Sequence, residues 1–153
     1  MTPAFRWAVV GLVLILGSAV HRLGRRGIEA IDSGLTPSEW LALVLLTATF
    51  VVGEGYYAIA RKWVPRVLGR AAALRTEPRL APRLLAPLHA MGLVYVSWPT
   101  ALRNWAGVAA IVAAVLIIRA FPDPWRGIVD FAVAGALVVG VVALLGHARQ
   151  YAD

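Results

Sequence analysis

Apolar positions in this chain gather into four long runs, at about 5–23, 37–60, 104–120 and 125–146, separated by polar stretches. A helix crossing a bilayer needs roughly 20 predominantly apolar residues. The first run, Phe5 to Val20, reaches that length only by continuing to about Leu23. It imitates a secretory signal, with Arg6 before the apolar stretch and the small triplet Gly17-Ser18-Ala19 after it, but the stretch is long for a signal and reads as a retained span. The second run opens with Thr36-Pro37-Ser38-Glu39. Thr36 suits the cap, Pro37 the first helical position, and Glu39 can return a bond to the cap. In the turn Phe121-Pro122-Asp123-Pro124-Trp125, Asp123 is placed to cap the fourth helix.

Between the second and third runs the pattern changes. Over residues 61–98, Arg61, Lys62, Arg66, Arg70, Arg75, Arg79 and Arg83 face one acid, Glu77. Val64, Val67, Leu68, Ala71 and Leu74 recur at helical spacing opposite Arg66 and Arg70, which predicts an amphipathic helix lying in the membrane interface. Leu84–Trp98 is apolar but too short to cross and contains Pro87, so it is expected to be re-entrant or in-plane. The predicted architecture is an all-α membrane protein forming one transmembrane domain over residues 1–153, with four transmembrane helices, an interfacial helix and this broken segment. Small residues at Ala106, Ala110 and Ala114, and at Ala132, Ala136 and Gly140, predict that the third and fourth spans pack as a close hairpin.

Composition agrees with lipid as the solvent: 60% of the 153 residues are hydrophobic and 15% charged, whereas soluble domains carry about a quarter charged. No cysteine is present, which excludes disulfides, thiolate metal sites and a cysteine nucleophile. The formal charge of +7 has an uneven distribution. In a four-span topology Arg6, the seven basic residues of the interlude, Arg103 and Arg149 share the face of the termini, and Arg22, Arg25, Arg26, Arg119 and Arg126 lie on the other. The positive-inside rule then puts both termini in the cytoplasm. Arg61, Lys62, Arg66 and Arg70 become candidate contacts for anionic lipid headgroups. Basic residues tied to the membrane plane, with no recognition module, argue against a nucleic-acid partner.

Two acids fall inside spans. Glu54, between Gly53 and Gly55, is about 10 Å along a helix from Arg61. A carboxylate at that depth costs roughly 2.5–3.5 kcal/mol unless it is paired, protonated or hydrated. Its preferred partner is Arg103, with Tyr57 on the same helix face as a hydrogen-bond donor; a proton or cation site is the alternative. Asp130 is expected to pair with Arg126 or Arg119 and so to fix the hairpin of the last two spans. His21, His89 and His147 supply no pair of axial ligands at one depth, and no catalytic or phosphate-binding motif appears, so no cofactor is implied.

Gly53-Glu54-Gly55-Tyr56, followed by Pro65-Arg66 and Arg70-Ala71, and Pro124-Trp125-Arg126-Gly127-Ile128-Val129-Asp130 resemble a group of uncharacterised bacterial integral membrane proteins. That resemblance covers about residues 50–130 and implies no activity. The sequence therefore favours an accessory or scaffolding subunit without enzymatic activity, in a homo-oligomer or a larger membrane complex. The alternatives are a small proton-coupled carrier using Glu54 and a lipid-modifying enzyme.

Overall fold

A computed structural model describes residues 2–151 of the protein. It is all-helical among those residues, and four helices are long and apolar enough to cross a membrane. The order is α1 (Pro3–Asp32), α2 (Pro37–Ala73), the short α3 (Leu80–Leu84) and α4 (Ala86–Met91), then α5 (Trp98–Arg119) and α6 (Trp125–Ala148).

Helix α1 runs nine residues beyond the expected end of its span. The polar stretch after Leu23 stays helical because it has something to pack against. Gly24, Gly27 and Ala30 make a stripe of small residues facing α6. A β-carbon on Gly27 would collide with Phe131, and one on Gly127 with Ala30 and the Arg26 carbonyl, so the two backbones nearly touch. Close approach of this kind supplies the packing that lipid-solvated helices cannot gain from the hydrophobic effect. Arg25 and Glu29, one turn apart and 2.9 Å from each other, cover the outer side. The helix stops at Ser33, and Gly34 reverses the chain at φ +87°, a left-handed conformation glycine enters without steric cost.

Helix α2 begins as its sequence dictates. Glu39 N–H donates to Thr36 Oγ1 at 3.4 Å and Thr36 N–H to Glu39 Oε2 at 2.8 Å, a complete capping box. From Val51 to Trp63 the helix widens to a π-helical form before returning to α geometry at Val64. Pro65 gives a physical reason: it has no N–H, and its ring would meet the carbonyl four residues earlier in a regular helix. Gly53 and Gly55 lower the resistance of the preceding turns. The inward face accordingly steps from Gly55 to Ala60 and on to Val64, lengthening one stride to five residues.

The last third of α2 corrects the sequence reading. Val64, Val67, Leu68 and Ala71 are completely buried inside the protein. They form one core with Phe5, Ala8 and Leu12 of α1, Ala86 and Ala90 of α4, and Leu144 and Ala148 of α6. The segment is thus a continuation of a spanning helix rather than an interfacial helix with its apolar face in lipid. An apolar stripe at helical spacing looks the same whichever surface covers it. Leu84–Trp98 forms no span: the helix breaks at Leu85, and α4 wedges between α1 and α2. Pro87 lies so close to Gly11 that any side chain there would clash. Trp7 Nε1–H donates to the Leu84 carbonyl at 2.8 Å, holding this wedge at the N-terminal end of α1.

Helix α6 is the axis of the bundle. One side meets α1 through Gly127, Phe131 and Ala134; the other meets α2, where Gly135 faces Thr47 and Val51, Ala136 and Val139 face Gly55, and Gly140 faces Ile59. The stripe of Ala132, Ala136 and Gly140 is therefore used, but its neighbour is α2 and not α5. The expected hairpin of the last two spans does not form: α5 has no buried residue and makes only sparse contact with α6. The ends of α1 and α6 meet in the core cluster, so residues near both termini lie at one end of the bundle.

Candidate functional site

Charge collects at both ends of the bundle, and the two collections are built differently. At the end where α1 finishes and α6 begins, Arg26, Glu29, Ser33, Asp123 and Arg126 line an open cleft of about 280 Å³ with Ala30 and Gly127. Asp130 lies one turn further along α6 with its side chain 7% exposed. Its ion-pair partner is Arg26, whose Nη1 is 3.9 Å from Asp130 Oδ2. That oxygen is buried and accepts no hydrogen bond, so charge alone holds the pair. The sequence points to Arg126 and Arg119. Arg126 is present in the cleft, but Arg119 is exposed and makes no ion pair among the described residues. Arg26 escapes a reading of run length because it lies beyond Leu23, where the apolar run ends but the helix does not. The small-residue stripe Gly24, Gly27, Ala30 was the signal that the helix continues into this contact. Asp123 lines the cleft and does not cap α6.

Glu54 does not meet Arg103. It stands exposed on the widened part of α2 and makes no ion pair or hydrogen bond among the described residues. Gly55 next to it faces α6, and the exposed side carries Val52, Gly53, Tyr56 and Tyr57. Tyr57 packs edge-on against Tyr56 with ring centroids 5.2 Å apart, and the Arg61 guanidinium lies 5.9 and 5.8 Å from the two ring centres. Arg61 is thus engaged by aromatic faces, an attraction of cation and ring quadrupole. Glu54, Tyr57 and Arg61 form a lateral surface of the bundle, not an internal polar site.

Arg103 belongs to the opposite sort of neighbourhood. Arg70 Nε–H donates to the Ala90 carbonyl at 2.7 Å, and Arg66 Nε–H to the Lys62 carbonyl at 2.8 Å. The Asn104 amide donates to the Gly92 carbonyl at 2.9 Å and to that of Met91 at 3.3 Å. Trp105 Nε1–H donates to the Leu93 carbonyl at 3.0 Å. These bonds pin the start of α5 to the end of α4 and bring Arg103 beside Arg70. Arg66 precedes Arg70 by one turn on α2, and the Arg70 guanidinium and the Asn104 amide, next to Arg103 in the chain, both lie against Gly92. Lys62 is exposed one turn from Arg66.

Two of the three histidines are occupied locally: His89 Nδ1 is 3.2 Å from the Val94 carbonyl and His147 Nδ1 2.8 Å from that of Ala143, while His21 is exposed. Comparison with protein-family models, curated proteins and solved structures finds no match. The functional reading therefore stands on the chain's own geometry.

Proposed function

We propose that the protein is a non-enzymatic, multi-pass subunit of the bacterial inner membrane that holds a neighbouring membrane chain through α5. The observation that carries this reading is the isolation of that helix. Its 22 residues span about 33 Å, enough for the hydrocarbon core, yet none is buried. Its foot is nevertheless fixed by Asn104 and Trp105, so the helix is presented from a rigid base. Ala106, Ala110 and Ala114 are exposed along it and would let another helix approach closely. Glu54 supports the same reading, since an outward carboxylate within a span gains from a donor on a second chain. Both termini are cytoplasmic in this proposal, from the excess of arginine on their face.

The absence of native cysteine makes the test simple. Single cysteines at positions 106 through 117 are crosslinked in native membranes with a short thiol-reactive reagent. Adducts should peak at Ala106, Ala110 and Ala114, weaken when Glu54→Gln is added, and contain either a second tagged copy or another membrane protein. Adducts absent at every position, with the chain monomeric in native-membrane discs, would overturn the proposal. A carrier centred on Glu54 is the second reading; because the carboxylate faces outward, it requires several copies around a shared path.

A further inference from the structure

We propose that Arg66, Arg70 and Arg103 form a binding site for a phosphate-bearing anion where α2 and α5 meet across the Gly92 turn, and that its occupant is the headgroup of an anionic phospholipid. The site does not rest on lateral association through α5; it concerns the foot of that helix.

Three observations support it. The cationic groups are held in place: Arg70 and Arg66 are each anchored through Nε to a backbone carbonyl, which leaves their terminal amino groups for other acceptors. Arg70 is half-buried against Gly92, where a β-carbon would press on both the guanidinium and the Asn104 amide, so the missing side chain keeps this space open to donors. Gly92 also needs its left-handed φ of +74° to close α4.

Second, no carboxylate answers these charges. The ion pairs among the described residues are Arg25–Glu29, Arg26–Asp130 and Arg79–Glu77, all elsewhere. Arg70 instead has Arg66 one turn away on α2 and Arg103 next to the Asn104 that shares its contact at Gly92, a grouping of like charges that an anion would relieve. Guanidinium groups suit this task because their planar fork matches phosphate oxygens.

Third, the surroundings favour a lipid over a soluble ion. Trp98 and Trp105 are exposed on the same foot of α5, the placement of aromatic belts at the boundary between headgroups and acyl chains. Arg103 stands about one turn inside α5 from Trp98, so a phosphate at headgroup level can reach it.

The test uses the full chain purified in mild detergent, titrated with phosphatidylglycerol and read by native mass spectrometry. The expected result is retained lipid, reduced roughly fivefold for each of Arg66→Gln and Arg103→Gln, in line with the worth of one basic side chain at an anionic leaflet. Both residues are exposed, so neither change should disturb folding; Arg70→Lys, which keeps the charge but loses the fork, should also weaken retention. Arg61→Gln and Lys62→Gln are the controls and should leave retention nearly unchanged. Equal losses from the controls would overturn the site in favour of diffuse attraction. Displacement of phosphatidylglycerol by equimolar inorganic phosphate or glycerol phosphate would overturn the lipid assignment, and equal retention of phosphatidylcholine would do the same.

Discussion

Helices α5 and α6 carry the same kind of sequence and meet opposite fates. Both are long, apolar and striped with small residues every fourth position. In α6 those small residues are buried between α1 and α2; in α5 they are exposed. The difference lies in the neighbours. Helix α6 sets Gly127 and Ala134 against Ala30 and Gly24 of α1 and Ala136 against Gly55 of α2, so at these points small faces small on both sides and the backbones close together. Among the described residues α5 packs against no such stripe. A small-residue face therefore states that a helix can be approached closely, and only its complement states by what.

The strongest way to break this comparison is to spoil the complement. Gly127→Leu places four carbons where Ala30 and the Arg26 carbonyl already stand. We expect a loss of ~3 kcal/mol or more, at the upper end for overpacking. Unfolding followed by circular dichroism during detergent titration measures it. A loss under about 0.5 kcal/mol, within the range of ordinary surface changes, would mean that the α1–α6 contact does not organise the bundle.

A smaller effect is expected where charge joins the same two helices. Arg26→Ala leaves the buried Asp130 carboxylate without its counterion, which should cost about 1–3 kcal/mol. Arg25→Ala removes only the exposed pair with Glu29 and should cost about 0.5 kcal/mol or less. If the charge of Asp130 is the source of the penalty, Arg26→Ala combined with Asp130→Ala should regain most of it. Equal costs for the two single arginine changes would show that Arg26 serves no special role.

What could be read from the sequence follows the range of the interactions. The capping box of Thr36 and Glu39 is local, and its bonds form as its spacing implies. The four spans follow from apolar run length, and the apolar stripe of Val64–Leu74 is correct as a pattern. Its covering surface was not legible, because protein and lipid bury the same stripe. Pairing was least legible. Asp130 falls within a span by sequence and is buried in the fold, yet its arginine comes from α1 beyond the end of the apolar run. Glu54 was matched with Arg103 by depth alone, whereas the widened turns of α2 and the bonds of Asn104 carry the two into different surroundings. Depth along a span is one coordinate; the rotation of each helix is another, and hydrophobic run length contains none of it.

The smallest expected effect sharpens the comparison most. Ala110→Leu adds to α5 the same bulk that Gly127→Leu adds near the start of α6, give or take one methyl. Within a single chain the new side chain meets open space, and the fold should lose no more than about 0.5 kcal/mol, as at an ordinary exposed site. Association is another matter. If another helix uses the alanine face, three additional carbons at its centre hold the backbones apart, and close packing of the small-residue kind is lost. The pairing of an unchanged unfolding midpoint with a reduced crosslinking yield would therefore place the face of α5 in a contact between chains. A large loss of stability in the dispersed monomer would instead show that α5 folds back onto its own bundle, and the contrast between the two helices would disappear.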